Sequence, residues 1–292
     1  MPARDNTPQP RHFPGKGPAE EAGEERCHVG SILLDQESCN FYCNSVEVMK
    51  QAGIPFLVGG AYALERYAGI SRHTKDFDLF VYERDIERAL KAFSDAGYKT
   101  ELSFPHWLGK AYQGDLFIDL IFSSGNGLAR VDDEWFSNAV EGRVLGAEVM
   151  LCPAEEIIWS KCFVCERERY DGADVAHLLQ ACAGDLDWDR LLRRFGTYWR
   201  VLLAHLVLFG FIFPAERDKI PEAVMRTLTA RLEEETTSRP PNTRVVQGTL
   251  ISRQQYLVDV EQRGYEDARA EPVGNMSERE LQIWTDAIET GK

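Results

Sequence analysis

Positive charge is scarce in this chain of 292 residues. Its 33 Lys and Arg stand against 47 Asp and Glu, a formal net charge of −14 with a sequence pI near 5.0. Phosphate backbones call for basic patches, so the bulk electrostatics argues against a large nucleic-acid partner. A local basic surface stays open in the stretch with Arg190, Arg193, Arg194 and Arg200. Long apolar runs are missing too. The most apolar stretch, Val201 to Phe213, is broken by His205 and Gly210 and preceded by Arg200. It is too short to span a bilayer and reads as a buried core helix, so no membrane is expected. The N-terminus is polar and proline-rich and carries no signal-peptide pattern. The seven cysteines are an odd number without the spacing of a small disulfide scaffold. Reduced thiols in a cytoplasm fit best. No G-x-G-x-x-G or Walker motif occurs, which removes support for dinucleotide oxidoreductases and P-loop enzymes. No Ser or Cys stands in a recognisable nucleophile signature, and no internal repeat is visible.

What is present is an ordinary globular composition, 44% hydrophobic and 27% charged. Residues 1–28 hold five prolines and mixed charges without apolar periodicity and read as a disordered tail. Residues 29–152 mix helix and strand signals. A helix is expected over Ser38 to Ala52, a short strand over Pro55 to Val58, and a helix over Ala61 to Tyr67. Further strands are expected at Phe77 to Tyr82, Tyr98 to Leu102, Trp107 to Tyr112 and Asp115 to Phe122, with a helix from Asp85 to Ala96. Val144 and Glu148 to Leu151 suggest a hairpin. Pro153-Ala154-Glu155-Glu156 then opens a helical region, 153–235. Residues 236–292 read as linker, short helix and a polar, frayed end. The fold class is α+β: a small mixed β-sheet flanked by helices, followed by a helical C-terminal region.

The informative feature is an apolar strand that begins Asp76-Phe77-Asp78-Leu79-Phe80-Val81. Strand side chains alternate faces, so Asp76 and Asp78 point one way and Phe77 the other. Asp119 sits inside a second apolar strand, Leu116 to Phe122, and can join them. Three converging carboxylates repel unless a cation neutralises them. Hard oxygen ligands of this kind suit Mg²⁺, with Mn²⁺ as the alternative, bound together with substrate phosphates. Upstream, Gly59 and Gly60 lie between a strand and a helix, where a backbone can approach phosphate oxygens and free N–H groups face them. A lone D-x-D is often a solvated turn and a lone Gly-Gly often only a tight turn. It is the ordered combination that points to nucleoside triphosphate chemistry. Cys162 and Cys165 lie mid-helix without a second pair and read as small buried hydrophobes rather than a zinc site. Trp188, Tyr198, Trp199, Phe209 and Phe211 read as core.

The order strand, Gly59-Gly60, helix, Asp76-Phe77-Asp78, then Asp119 resembles the polymerase-β-like nucleotidyltransferase superfamily. More narrowly it is similar to minimal bacterial enzymes related to AbiEii-type toxins. In that group a lysine and an Arg-Asp-type motif follow on helices, and Ser160-Lys161 and Arg169-Tyr170-Asp171-Gly172-Ala173-Asp174 are similar here. Tyr170 separates Arg169 from Asp171, which leaves Asp171 or Asp174 open for the acid's role. An N-cap role is the simpler reading of Asp171, and a snorkelling surface lysine that of Lys161. The resemblance implies that Asp76, Asp78 and Asp119 hold metal, that Gly59 and Gly60 contact the triphosphate, and that Arg72 or Lys75 does so too unless that stretch is only a solvated loop balancing the acids. It implies that Lys161 with Asp171 or Asp174 completes the far wall. It covers residues 40 to 210. The implied reaction moves a nucleoside monophosphate from an NTP to a hydroxyl of a small molecule or protein. Alternatives are tRNA ends, as a toxin with an antitoxin partner, and a catalytically silent nucleotide-binding module.

Overall fold

The computed structural model describes residues 28–29, 32–33, 35–71 and 76–289. The expected disordered tail, apart from His28, lies outside the described residues. In chain order the strands and helices begin with the short antiparallel pair β1 (His28–Val29) and β2 (Ile32–Leu33) and the helix α1 (Gln36–Gln51). Next come β3 (Leu57–Val58), α2 (Gly60–Ala68), β4 (Asp76–Phe80), α3 (Ile86–Asp95), β5 (Lys99–Phe104), β6 (Leu108–Gln113) and β7 (Leu116–Ile121). The short helix α4 (Asp133–Ser137) and the hairpin β8 (Val140–Val144) and β9 (Ala147–Leu151) complete the sheet-bearing part. The helices α5 (Ala154–Cys162), α6 (Gly172–Cys182), α7 (Trp188–Phe195), α8 (Trp199–Ile212) and α9 (Glu222–Thr237) follow. The end of the chain holds β10 (Val245–Val246), α10 (Leu257–Glu261), β11 (Glu266–Asp267) and α11 (Glu278–Glu289).

Seven strands form one mixed sheet in the order β5-β6-β7-β4-β3-β9-β8. β4 runs parallel to β7 and β3 to β9, and the other neighbours are antiparallel. Alternation decides the layers. Phe77, Leu79, Val81, Ala111, Ile118 and Leu120 point to one face and are buried with Tyr42, Val46 and Met49 of α1 and Phe93 of α3. Burying one Phe or Leu in this way is worth about 1.5–3 kcal/mol. The cap of α1 follows from Asp35, whose carboxylate accepts from the Ser38 N–H at 2.7 Å. On the opposite face Phe80 stacks on Trp135 of α4, with centroids 5.2 Å apart. That contact belongs to a second core containing Leu57, Leu64, Ile158, Leu178 and Leu202. The core therefore runs without a break across Pro153, where the sequence changes character.

Three expectations are corrected. The arginines of α7 make no basic surface: Arg190 is 3% exposed and bonds Glu155 at 2.6 Å. Arg194 reaches Glu156 at 3.2 Å and Asp132 at 2.5 Å, and Arg193 and Arg200 are exposed but paired with Glu134 and Glu235. Second, α8 is not buried throughout. Phe211 is 82% exposed and Val207, Leu208 and Ile212 also face outward. By length and composition the run Trp188–Ile212 is long and apolar enough to cross a membrane. Its first turns nevertheless hold Arg190 and Arg194 in buried ion pairs, which ties them to protein. Third, the C-terminal end is packed rather than frayed. Trp284 of α11 meets Phe104, His106 and Trp107 with centroids 4.8–5.6 Å apart. It lies so close over Gly125 that a Cβ there would meet its ring at 2.6 Å.

This C-terminal segment works as a strap across the two halves. Asn126, in the loop after β7, donates to the Leu250 carbonyl at 2.8 Å, and Asn275 donates to the Gly127 carbonyl at 3.1 Å. Ser252 and the Arg253 N–H both donate to the Glu166 carboxylate at 2.6 Å. The Cys165 N–H donates to the Ile251 carbonyl at 2.9 Å. Glu166 begins the small hairpin that leads to Arg169 and Asp171, closed by the Glu166 N–H on the Arg169 carbonyl and a bridge between Cys165 and Tyr170.

Candidate active site

Parallel pairing of β4 and β7 places Asp78 beside Asp119 and Asp76 beside Phe117 in register. The odd-numbered β4 residues, Phe77 and Leu79, lie in the core, so the three aspartates share the opposite face. Asp76 is exposed, while Asp78 and Asp119 are half-buried. Their proximity shows in their acidity. Burial first, then the Asp119 and Asp76 carboxylates, push Asp78 up to about 7, against the pull of Lys161 and Arg169. Burial also raises Asp119, opposed by Lys110.

The glycine pair sits against these acids. Gly60 takes φ +55°, and a Cβ there would stand 1.7 Å from Asp78 Oδ2. Gly59 donates its N–H to the Asp78 carbonyl at 3.0 Å, and a Cβ on it would strike the Phe80 ring at 2.3 Å. Glycine is thus required at both positions by close approach, and at Gly60 also by a backbone conformation that other residues rarely adopt. The Gly60 backbone lies over the Asp78 carboxylate, and the N-terminus of α2 opens there.

The second group of predicted residues forms one ion cluster. Lys161, near the end of α5, lies 2.8 Å from both Asp171 and Asp174. Arg169 grips Asp171 with two bonds of 3.1 Å, which hold its carboxyl below the usual range despite burial. Asp171 stands at the N-cap of α6 but makes no side-chain cap bond. Its carboxylate goes to Lys161 and Arg169 instead. Lys161 is thereby a fixed, mostly buried cation rather than a snorkelling one. The charges of Lys161 and Arg169 both act on Asp78, so this cluster lies within electrostatic reach of the acids. Arg72 and Lys75 fall outside the described residues. Cys162 is buried, and Cys165 offers its thiol to the Cys162 carbonyl at 3.7 Å.

One partner in the site was missed. Lys110 on β6 pairs in register with Asp119, and its Nζ lies 2.7 Å from Asp119 Oδ1. Among the described residues no three Asp, Glu, His or Cys groups are gathered tightly enough to hold an ion as the side chains stand. Asp119 is turned to Lys110. The donor set nevertheless fits a hard divalent cation. It offers three carboxylates on neighbouring strands, whose mutual repulsion already raises Asp78, and a glycine backbone that leaves Asp78 room.

The raised Asp78 makes a pH prediction. Its folded pKa lies above the ordinary carboxylate value, so its contribution to stability is full below about pH 4. That contribution is lost as pH rises through about 7. Thermal melting of the metal-free protein should therefore decline between about pH 4 and 7 and level off above, and less so in Asp78→Asn. Mg²⁺ should offset the decline at pH 8 far more than at pH 6. Parallel melting curves for the two proteins would sink this account.

A family model described as an uncharacterised nucleotidyltransferase matches residues 46–208, more than half of the chain. Nothing among curated proteins matches. Among solved structures, the antibiotic-resistance factor ANT(2'')-Ia in solution is 18% identical over 59% of this chain and 98% of its own, with a TM-score of 0.43. ANT(2'')-Ia in complex with adenylyl-2''-tobramycin is 16% identical over 56% and 98%, with a TM-score of 0.41. The lincosamide antibiotic adenylyltransferase LnuA with lincomycin bound is 12% identical over 50% and 96%, with a TM-score of 0.36. These likenesses are distant, and no substrate follows from them.

Proposed function

This chain belongs to that nucleotidyltransferase family, and from there we propose that it moves a nucleoside monophosphate from an NTP to a hydroxyl acceptor, releasing pyrophosphate. The observation that carries the reading is the in-register placement of Asp78 beside Asp119, with Asp76 on the same face and Gly60 against Asp78. Asp76, Asp78 and Asp119 would hold Mg²⁺ or Mn²⁺. Once bound, such ions offset the triphosphate charge and make the acceptor hydroxyl easier to deprotonate.

The chain's own groups do the rest. The opening turn of α2 offers backbone N–H groups and the positive end of a helix dipole to phosphate oxygens. Arg169, largely exposed beyond its grip on Asp171, supplies a guanidinium within electrostatic reach of the acids and suits a phosphate oxygen. Asp171 and Asp174 hold Lys161 in place, so its charge is fixed before substrate arrives. Both acids share this work, which supports a role for each. A small molecule or a protein is the favoured acceptor. The chain is strongly acidic, and the arginines that could have met a nucleic acid are occupied by Glu155, Glu156, Asp132, Glu134 and Glu235.

The test uses each α-³²P-labelled NTP with Mg²⁺, total RNA and cell extract, and compares the intact protein with Asp76→Ala/Asp78→Ala. Label on a small molecule or protein, absent with the variant, is the expected result. Label on tRNA ends, with growth arrest relieved by a neighbouring gene product, would move the reading to a toxin. No label and no Mg²⁺-dependent NTP binding would leave a silent module.

A further inference from the structure

The third carboxylate of the site already has a cation. Lys110 Nζ lies 2.7 Å from Asp119, with the two side chains only 21% and 15% exposed. The same ammonium sits over the Phe117 ring, 4.3 Å from its centroid. The register extends the pattern across four strands: Glu101 on β5 pairs with Lys110, Lys110 with Asp119, and Asp119 with Asp78. Lys110 therefore stands inside the row of charges that forms the site's floor, between Glu101 and Asp119. Glu101 is engaged by Tyr112 and Ser103 through hydrogen bonds of 2.8 and 2.7 Å.

We infer that Lys110 is a positioning residue that competes with the divalent cation for Asp119 and makes metal binding depend on nucleotide. The inference rests on the metal-dependent reading above. With Lys110 on Asp119, the third carboxylate is compensated and aimed without any metal. A cation taking Asp119 must displace the ammonium or sit beside it, and either costs affinity. An NTP changes the balance. Its phosphates give Lys110 another anion within the reach of a flexible four-carbon stem, and Asp119 is released to the metal. Metal and nucleotide then favour each other's binding, and the coupling is reciprocal. An empty site would avoid gripping metal in a geometry unsuited to the triphosphate.

The test is Mn²⁺ binding, read as free Mn²⁺ by electron paramagnetic resonance, with and without a non-hydrolysable NTP analogue. The proteins are the intact chain, Lys110→Met and Lys110→Gln, each checked by thermal melting. The Gln variant keeps a donor near Asp119 without the charge, so it serves if Met does not fold. Without nucleotide, both variants should bind Mn²⁺ about 5- to 20-fold more tightly than the intact chain, and the analogue should tighten binding by a correspondingly smaller factor in them than in the intact chain. Equal Mn²⁺ affinity in all three proteins overturns the role of Lys110 and leaves the metal-dependent reading standing. No Mn²⁺ binding in any of them, with or without the analogue, overturns that reading and this inference with it.

Discussion

Gly60→Ala should reduce kcat/KM for nucleotidyl transfer by about 100-fold or more, from ~2.7 kcal/mol of misplaced transition-state contacts. A methyl group at this position would meet Asp78 Oδ2 at 1.7 Å and its Cγ at 2.8 Å. The carboxylate must leave the face it shares with Asp119, or α2 must lift away. The backbone adds about 1–2 kcal/mol of strain, because φ is +55° at Gly60. Gly59→Ala separates the two effects. Its methyl would strike the Phe80 ring and approach Cys152 Sγ at 3.2 Å, so it disturbs the Phe80–Trp135 stack rather than the acid. We expect the Gly59 variant to lose more stability, and the Gly60 variant to lose more activity per folded molecule. Melting curves with kinetics of the surviving folded fraction measure both. A Gly60→Ala enzyme with intact kcat/KM would mean that Asp78 is not needed where it lies.

Arg190→Met should cost about 3–5 kcal/mol of folding stability without touching the site. Arg190 is buried between Glu155, at 2.6 Å, and Glu156, at 3.5 Å, and both acids are themselves buried. Removing the guanidinium leaves Glu155 its bond from the Asp187 N–H, while Glu156 keeps only Arg194 for charge. Burial already pushes Glu156 up to about 7 against the pull of both arginines. With Arg190 gone it should take up a proton. The loss in urea unfolding should then be greatest at high pH and smaller near pH 6. Adding Glu155→Gln to Arg190→Met should recover part of the loss, since one of the stranded charges is removed. A cost below about 1 kcal/mol would show that α5 and α7 are held by apolar packing alone.

The acids were legible in the sequence because strand alternation is a local rule. Asp76 and Asp78 share a face wherever that strand goes, and apolar neighbours mark it as a strand. The partner of Asp119 was also within reach. Gln113 pairs with Leu116 across the two-residue turn Gly114-Asp115, and counting back along that hairpin sets Lys110 opposite Asp119. What the sequence hid was long-range. Nothing near α7 reveals that Arg190 meets Glu155 and Arg194 meets Asp132, so four arginines read as a basic stretch. An apolar helix does not tell which side is covered, and Phe211 went to the outside. In α11 Leu281, Ile283, Trp284, Ala287 and Ile288 are apolar, a short stripe that does not tell what it packs against. Its partners, Phe104 and Trp107, come from a hairpin nearly two hundred residues earlier.

The strap of residues 247–286 has a kinetic consequence. Its bonds to the hairpin of Arg169 and to the loop after β7 join residues 86 to 148 positions apart. The β6–β7 hairpin and neighbouring helices close over short spans and repay their ordering early. The strap contacts repay theirs only after long loops have closed. They should therefore assemble last and open first, as a local unfolding unit with its own, lower free energy. Amides at Cys165, Arg253 and Met276 should exchange hydrogen sooner than those of β4 and β7. A refolding chain should then regain its sheet before it regains the ability to hold a nucleotide.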